Sequence, residues 1–71
     1  MSGESDWVVY ITEDNHGTTW LFWCDRIEDW VSDLKRATRY TWMQAANCAE
    51  WLSEDPELPE VRTIRASQVQ D

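Results

Sequence analysis

The chain predicts an α+β fold: a small antiparallel sheet of three or four strands with one main helix, plus a short helical turn, packed on one face. Three observations carry this. Two runs rich in β-branched and aromatic residues, Trp7 to Thr12 and Thr18 to Cys24, flank the turn-forming stretch Asp14-Asn15-His16-Gly17 and read as a hairpin. A helix start signal stands at Thr41. A closing run, Glu60 to Ala66, follows two prolines, and the order hairpin, helix, strand sets helix against one face of a sheet.

Residues 1–6 are small, polar and acidic, the composition of a frayed start. In the second strand Trp20, Phe22 and Cys24 share one face while Leu21 and Trp23 share the other. Neither side is polar. Either both faces are covered, or the face opposite the helix offers aromatics to another molecule. The polar connection 25–29 follows, in which Ile27 or Trp30 can extend a short third strand.

Ser32 is expected to cap a short helical turn through Asp33 to Ala37, with the acid at the positive end of its dipole and Lys35, Arg36 and Arg39 at the negative end. The main helix starts at Trp42. Thr41 and Gln44 have capping-box spacing, each side chain able to bond the other's backbone N–H. Trp42, Ala45, Ala49 and Leu52, with Cys48 beside them, form its inward stripe, and Gln44, Asn47, Glu50 and Glu54 point elsewhere. Pro56 and Pro59 then enforce a loop. The last strand, Glu60 to Ala66, returns either parallel or antiparallel, and Ser67 to Asp71 is a polar tail.

Seventy-one residues make one domain, with an ordered core about 7–66, near the size where a single core leaves little stability to spare. Six Trp, two Tyr and one Phe supply the bulk that such a core needs. Cys24 and Cys48 lie on different elements without CxxC spacing, and the opening MSGESDW lacks the regions of a signal peptide. Both thiols are therefore expected to be reduced and buried, in a cytoplasmic protein. No apolar run is long enough to span a bilayer, and an acidic surface is repelled by anionic lipid, so no membrane partner is expected.

Fourteen acids against six bases give a formal charge of -8, which argues against direct binding of nucleic acid, because displacing counterions from phosphates requires Lys and Arg. The same charge suits a protein that binds basic surfaces. It also suits a solvated surface with no further role. The acids fall in two groups: Asp25, Glu28, Asp29 and Asp33, and then Glu50, Glu54, Asp55, Glu57 and Glu60. On a helix Glu50 and Glu54 stand about 6 Å apart along the axis, close to the spacing of successive backbone phosphates. Lys35, Arg36, Arg39, Arg62 and Arg65 are expected to pair with nearby acids. Trp42 and Trp51 flank the helix stripe, so that one of them can lie partly exposed among acids, the makeup of a binding hot spot.

No catalytic or metal-binding constellation emerges. His16 and Cys24 sit at opposite ends of a strand, roughly 25 Å apart when extended, too far to act as nucleophile and base or to share a zinc ion. Neither a phosphate loop nor a paired-His helix is present. The expectation is a non-enzyme without a cofactor.

The pattern of an aromatic strand, a turn, a second strand containing Trp, then Trp30, Asp33, Ala37, Tyr40, Thr41, Ala45, Ala49 and Leu52 at helical spacings, and a closing Val61 and Ile64, resembles small ββαβ proteins of phage and prophage genomes. That group includes the anti-CRISPR proteins, which block CRISPR effector complexes by binding. The resemblance implies a phage-type inhibitor whose partner is a host nucleic-acid-binding complex, a CRISPR effector in the specific case, acting as monomer or homodimer. It transfers no functional residue. The expected contact residues are Asp25, Glu28, Asp29, Asp33, Glu50, Glu54, Asp55, Glu57, Trp23 and Trp51, read as carboxylates standing in for phosphates beside exposed aromatics. The alternative is a Trp-rich interaction module or homodimeric scaffold that involves no mimicry.

Overall fold

The computed structural model describes residues 5–12 and 19–69. The expected turn around His16, most of residues 1–6, Thr18 and the last two residues lie outside them. Four strands form one antiparallel sheet in the order β3-β2-β1-β4, with β1 at Trp7–Thr12, β2 at Trp20–Cys24, β3 at Asp29–Val31 and β4 at Arg62–Arg65. The helix α1, Trp42–Leu52, lies over β1 and β4. The direction left open for the last strand is antiparallel to β1, pairing Val8 with Ile64 and Trp7 with Arg65.

The two-residue period of the strands divides the apolar residues between two small cores. Val9 and Trp23 go to the helix side, where Ala45 and Leu52 of α1 meet them, with Trp7, Trp30, Tyr40, Leu58 and Val61 around the margin. Val8, Tyr10 and Phe22 go to the other side. That side is not open. Leu34 and Ala37 cover it from the connection before α1, and Ala66 and Val69 cover it from the end of the chain. Of the two arrangements the strand pattern allowed, both faces covered is the one found, and it explains why neither central strand alternates apolar with polar.

Three local expectations are corrected. The cap of the short turn is Asp33, not Ser32: its Oδ1 accepts from the Lys35 backbone N–H at 2.9 Å, ahead of a 3-10 turn at Leu34–Arg36. Asp33 is the residue just before the turn, and its carboxylate takes the free N–H two residues on, the Asx pattern that aspartate favours. The polar tail after Ala66 instead makes a second 3-10 turn, Ala66–Gln68, from which Val69 folds back onto the sheet. Ser67 Oγ donates to Asp6 Oδ2 at 3.1 Å and the Ala66 N–H to the Asp6 carbonyl at 2.6 Å, so the turn closes against the residue before β1. Trp42, finally, is exposed and not part of the inward stripe.

The boundaries of α1 follow from the sequence. Thr41 Oγ1 accepts from the Gln44 N–H and Gln44 Oε1 from the Thr41 N–H, both at 3.2 Å, which completes the capping box. Just before the cap, Tyr40 and Trp7 exchange backbone hydrogen bonds of 2.9 and 2.7 Å, tying the start of α1 to β1. At the far end the Ser53 N–H donates to the Ala49 carbonyl and its hydroxyl to the Glu50 carbonyl. Pro56 then prevents continuation.

Candidate functional site

The first acidic group runs from the hairpin between β2 and β3, through the start of β3, to the cap of the 3-10 turn after it. Asp25, Glu28, Asp29 and Asp33 are all exposed. The loop is held from behind: the Asp25 N–H donates to Thr38 Oγ1 at 2.7 Å, and the Thr38 N–H to the Trp23 carbonyl at 3.1 Å. Asp29 Oδ1 accepts from the Trp30 N–H at 2.8 Å, so Asp29 and Asp33 each spend one oxygen on local backbone. Glu28 has a φ of 51°, in the left-handed region that glycine or asparagine normally fills.

The second group begins in the last turn of α1 and continues past its end. Glu50, Glu54, Asp55 and Glu57 are exposed, and Asp55 Oδ1 accepts from the Glu57 N–H at 3.0 Å. Glu60 is committed to Arg62, whose Nε donates to it at 2.9 Å. Among the described residues the other ion pair joins Arg39 to Asp6 at 3.7 Å. The expectation of internal pairing thus holds for Arg39 and Arg62 and not for the rest. Arg65 lies over the Trp7 ring at 5.6 Å, a cation–π contact, and Lys35 and Arg36 form no ion pair among the described residues. None of the eight candidate carboxylates forms an ion pair within the described chain. The two groups head for opposite edges of the sheet, since β3 forms one edge and the segment after α1 leads to β4 at the other.

The aromatic candidates divide. Trp23 is only 7 % exposed; it packs edge to face on Trp30 at 5.2 Å and on Trp51 at 6.4 Å, and is part of the core rather than a surface open to a partner. Trp51 is 62 % exposed. Trp42, which the sequence put on the inward stripe and also named beside Trp51 as a candidate exposed hot spot, is 62 % exposed; sequence reasoning missed Met43, at 66 %. The available signal was the stripe itself. With Ala45, Cys48, Ala49 and Leu52 facing inward, a rotation of about 100° per residue places Met43 directly opposite them and Trp42 on one flank.

The thiols are unpaired. By strand alternation Cys24 faces the same side of the sheet as Phe22, whereas Cys48 packs on the helix side, so the sheet separates them. Cys24 is buried and Cys48 half-buried. The Cys48 thiol donates to the Tyr40 hydroxyl at 3.8 Å. Burial pushes up the pKa of both groups, with the nearby Asp25 charge adding to the effect. A thiol held protonated is a poor nucleophile. Among the described residues no three His, Cys, Asp or Glu side chains gather where they could hold a metal ion, and no helix is long and apolar enough to cross a membrane. The arrangement exposes carboxylates in both acidic groups and apolar groups on α1.

No family model, no curated protein and no solved structure matches this chain.

Proposed function

We propose that the protein is a non-catalytic, acidic binding inhibitor that acts in the bacterial cytoplasm by occupying the nucleic-acid-binding surface of a host complex. In the most specific form the target is a CRISPR effector, as for anti-CRISPR proteins. The observation that carries this reading is the placement of Glu50, Glu54, Asp55 and Glu57. They sit at and beyond the C-terminal end of α1, where the helix dipole is negative, and α1 has no base in its last turn and no acid in its first. Glu50, in the last turn, opposes the dipole by roughly 0.3 to 1 kcal/mol at low salt. Folding alone selects the reverse order. A basic partner, by contrast, is attracted by such a group.

The test is capture of a purified CRISPR effector by the protein, with target DNA as competitor. Binding should weaken steeply between low and high salt and be lost when DNA occupies the effector. Glu50→Lys with Glu54→Lys and Glu57→Lys should abolish it, as should Asp25→Lys with Glu28→Lys and Asp29→Lys if the hairpin also contributes, while circular dichroism stays unchanged. Simultaneous binding of protein and DNA, or full binding by both charge-reversed proteins, removes the mimicry. The second reading is the aromatic interaction module, favoured by the exposure of Trp42 and Trp51; it predicts that Trp42→Ala costs more binding than either set of charge reversals.

A further inference from the structure

The two edges of the sheet end differently. β3, at one edge, is three residues long and pairs Trp30 with Trp23. The Trp23 carbonyl accepts from the Thr38 N–H and not from Trp30, so this pair exchanges no bonds and the Trp30 N–H points outward. Asp29 Oδ1 takes that N–H at 2.8 Å, which stops the edge from extending.

β4, at the other edge, has no such stop. Its register with β1 runs unbroken from Trp7 with Arg65 to Tyr10 with Arg62, without bulge or proline. Asp6 continues that register opposite Ala66 and accepts from its N–H, while Trp7 spends its own N–H and carbonyl on Tyr40. Bonded and unbonded pairs alternate in an antiparallel ladder. Ile64 and Arg62 therefore carry the bonds to β1, and Thr63 and Arg65 turn their N–H and C=O groups away from it. Among the described residues no backbone group outside the sheet meets them.

This edge is close to neutral in a chain of formal charge -8. Glu60 holds Arg62, and Arg65 lies over the Trp7 ring. A basic strand finds no unpaired carboxylate here, and an acidic one is repelled by the chain as a whole. A second copy suits the edge by symmetry. A two-fold axis at Ile64 sets Thr63 of each copy against Arg65 of the other, so that each such pair exchanges both bonds. It also brings the half-buried Ile64 of each copy together on the face away from α1. An axis at Arg65 would oppose that guanidinium to itself, and one at Thr63 would need Val61, which lies outside the strand. Two chains of this charge still repel at a distance, which makes the pairing weak and sensitive to salt.

We propose that β4 is a strand-addition edge whose occupant is β4 of a second copy, paired antiparallel about Ile64 so that two sheets join into one. The pairing is independent of the inhibitor reading, because none of the carboxylates reversed in the effector experiment lies on β4.

Sedimentation equilibrium of the full chain at up to about 1 mM should show a weak equilibrium between monomer and dimer. Its association should strengthen about threefold or more between about 0.02 and 0.5 M salt, as the repulsion is screened. That is the opposite sign to the effector complex. Thr63→Pro should raise the dissociation constant about tenfold, since it removes an outward N–H and no bond to β1, and an edge strand accepts proline there. Arg62→Glu, at an exposed position, should weaken the low-salt dimer as well by adding acid to the edge. Circular dichroism checks the folding of both variants. In hydrogen exchange of the wild type, the Thr63 and Arg65 amides should gain protection as concentration rises, while that of Trp30 stays as it is. A monomer under all these conditions, a dimer weakened by salt, or a dimer indifferent to Thr63→Pro overturns the proposal. So does a dimer that Trp42→Ala dissociates, which would place the interface on α1. Protection of the Thr63 and Arg65 amides by an added peptide of alternating Thr and Val, in a chain that stays monomeric, overturns it too, because the occupant would then be a foreign strand.

Discussion

Trp23 and Trp51 meet edge to face, their ring centroids 6.4 Å apart and their planes at 69°, although one ring is buried under α1 and the other is mostly in solvent. Trp23 also receives Trp30 on β3 at 5.2 Å, so three indoles join the last turn of α1 to the sheet edge away from β4. Because α1 lies chiefly over β1 and β4, this contact holds its C-terminal end down on the β2–β3 side.

The two exposed tryptophans of α1 are accordingly expected to differ in their effect on folding. Trp51→Ala should cost about 1 kcal/mol through loss of the aromatic contact, whereas Trp42→Ala should stay within about 0.5 kcal/mol. Urea unfolding of both variants checks this. Equal midpoints for the two would mean that the Trp51 contact adds nothing.

The cap at Thr41 is the best-specified part of the helix. Thr41→Ala should destabilise by roughly 0.5 to 2 kcal/mol. Gln44→Ala removes only the reciprocal bond, and combining it with Thr41→Ala should cost less than the sum, because the two side chains serve one another. Thermal melts of the three variants read the coupling. An unchanged melting temperature for Thr41→Ala would place the start of the helix elsewhere.

These two predictions differ in what the sequence allowed. Thr41 and Gln44 mark the helix start through bonds within four residues, so spacing alone placed it. The strands were equally visible, because β-branched and aromatic runs persist whatever covers them. The covering was not. Val69 reads as part of a polar tail and packs on the sheet only because β4 delivers it there, and the 3-10 turns follow from backbone geometry that single residues do not announce. At the candidate site the carboxylates were correctly placed at the surface, since charge alone drives them there. The aromatics were not: Trp23 and Trp42 have the same composition signal and opposite fates, Trp23 being carried under α1 by strand alternation and Trp42 being turned outward on α1.

Glu28 stores a small strain. A side chain at φ 51° crowds its own carbonyl, a cost of about 1 to 2 kcal/mol that glycine avoids, partly offset by the extra chain entropy that glycine loses on folding. Glu28→Gly is expected to leave a net gain of up to about 1 kcal/mol, seen as a higher urea midpoint. Glu28→Ala, which keeps the crowding, should show no such gain. A gain of equal size in both would assign the effect to the lost charge.

Alkaline pH should loosen the contact between Cys48 and Tyr40. Burial raises the pKa of both, each being neutral when protonated, so the unfolded chain releases these protons at lower pH than the folded one. Below the ordinary thiol value of 9.0 both states hold the protons and the pair makes no difference to the pH dependence. As pH rises past that value the unfolded state binds fewer protons, and stability falls until the folded groups ionise in turn. The wild-type unfolding midpoint should therefore drop between about pH 8.5 and 10.5 more steeply than that of Cys48→Ala combined with Tyr40→Phe, which keeps the ring in place and removes both ionisable groups. Parallel slopes for the two proteins over that range would show that neither group is held protonated by the fold.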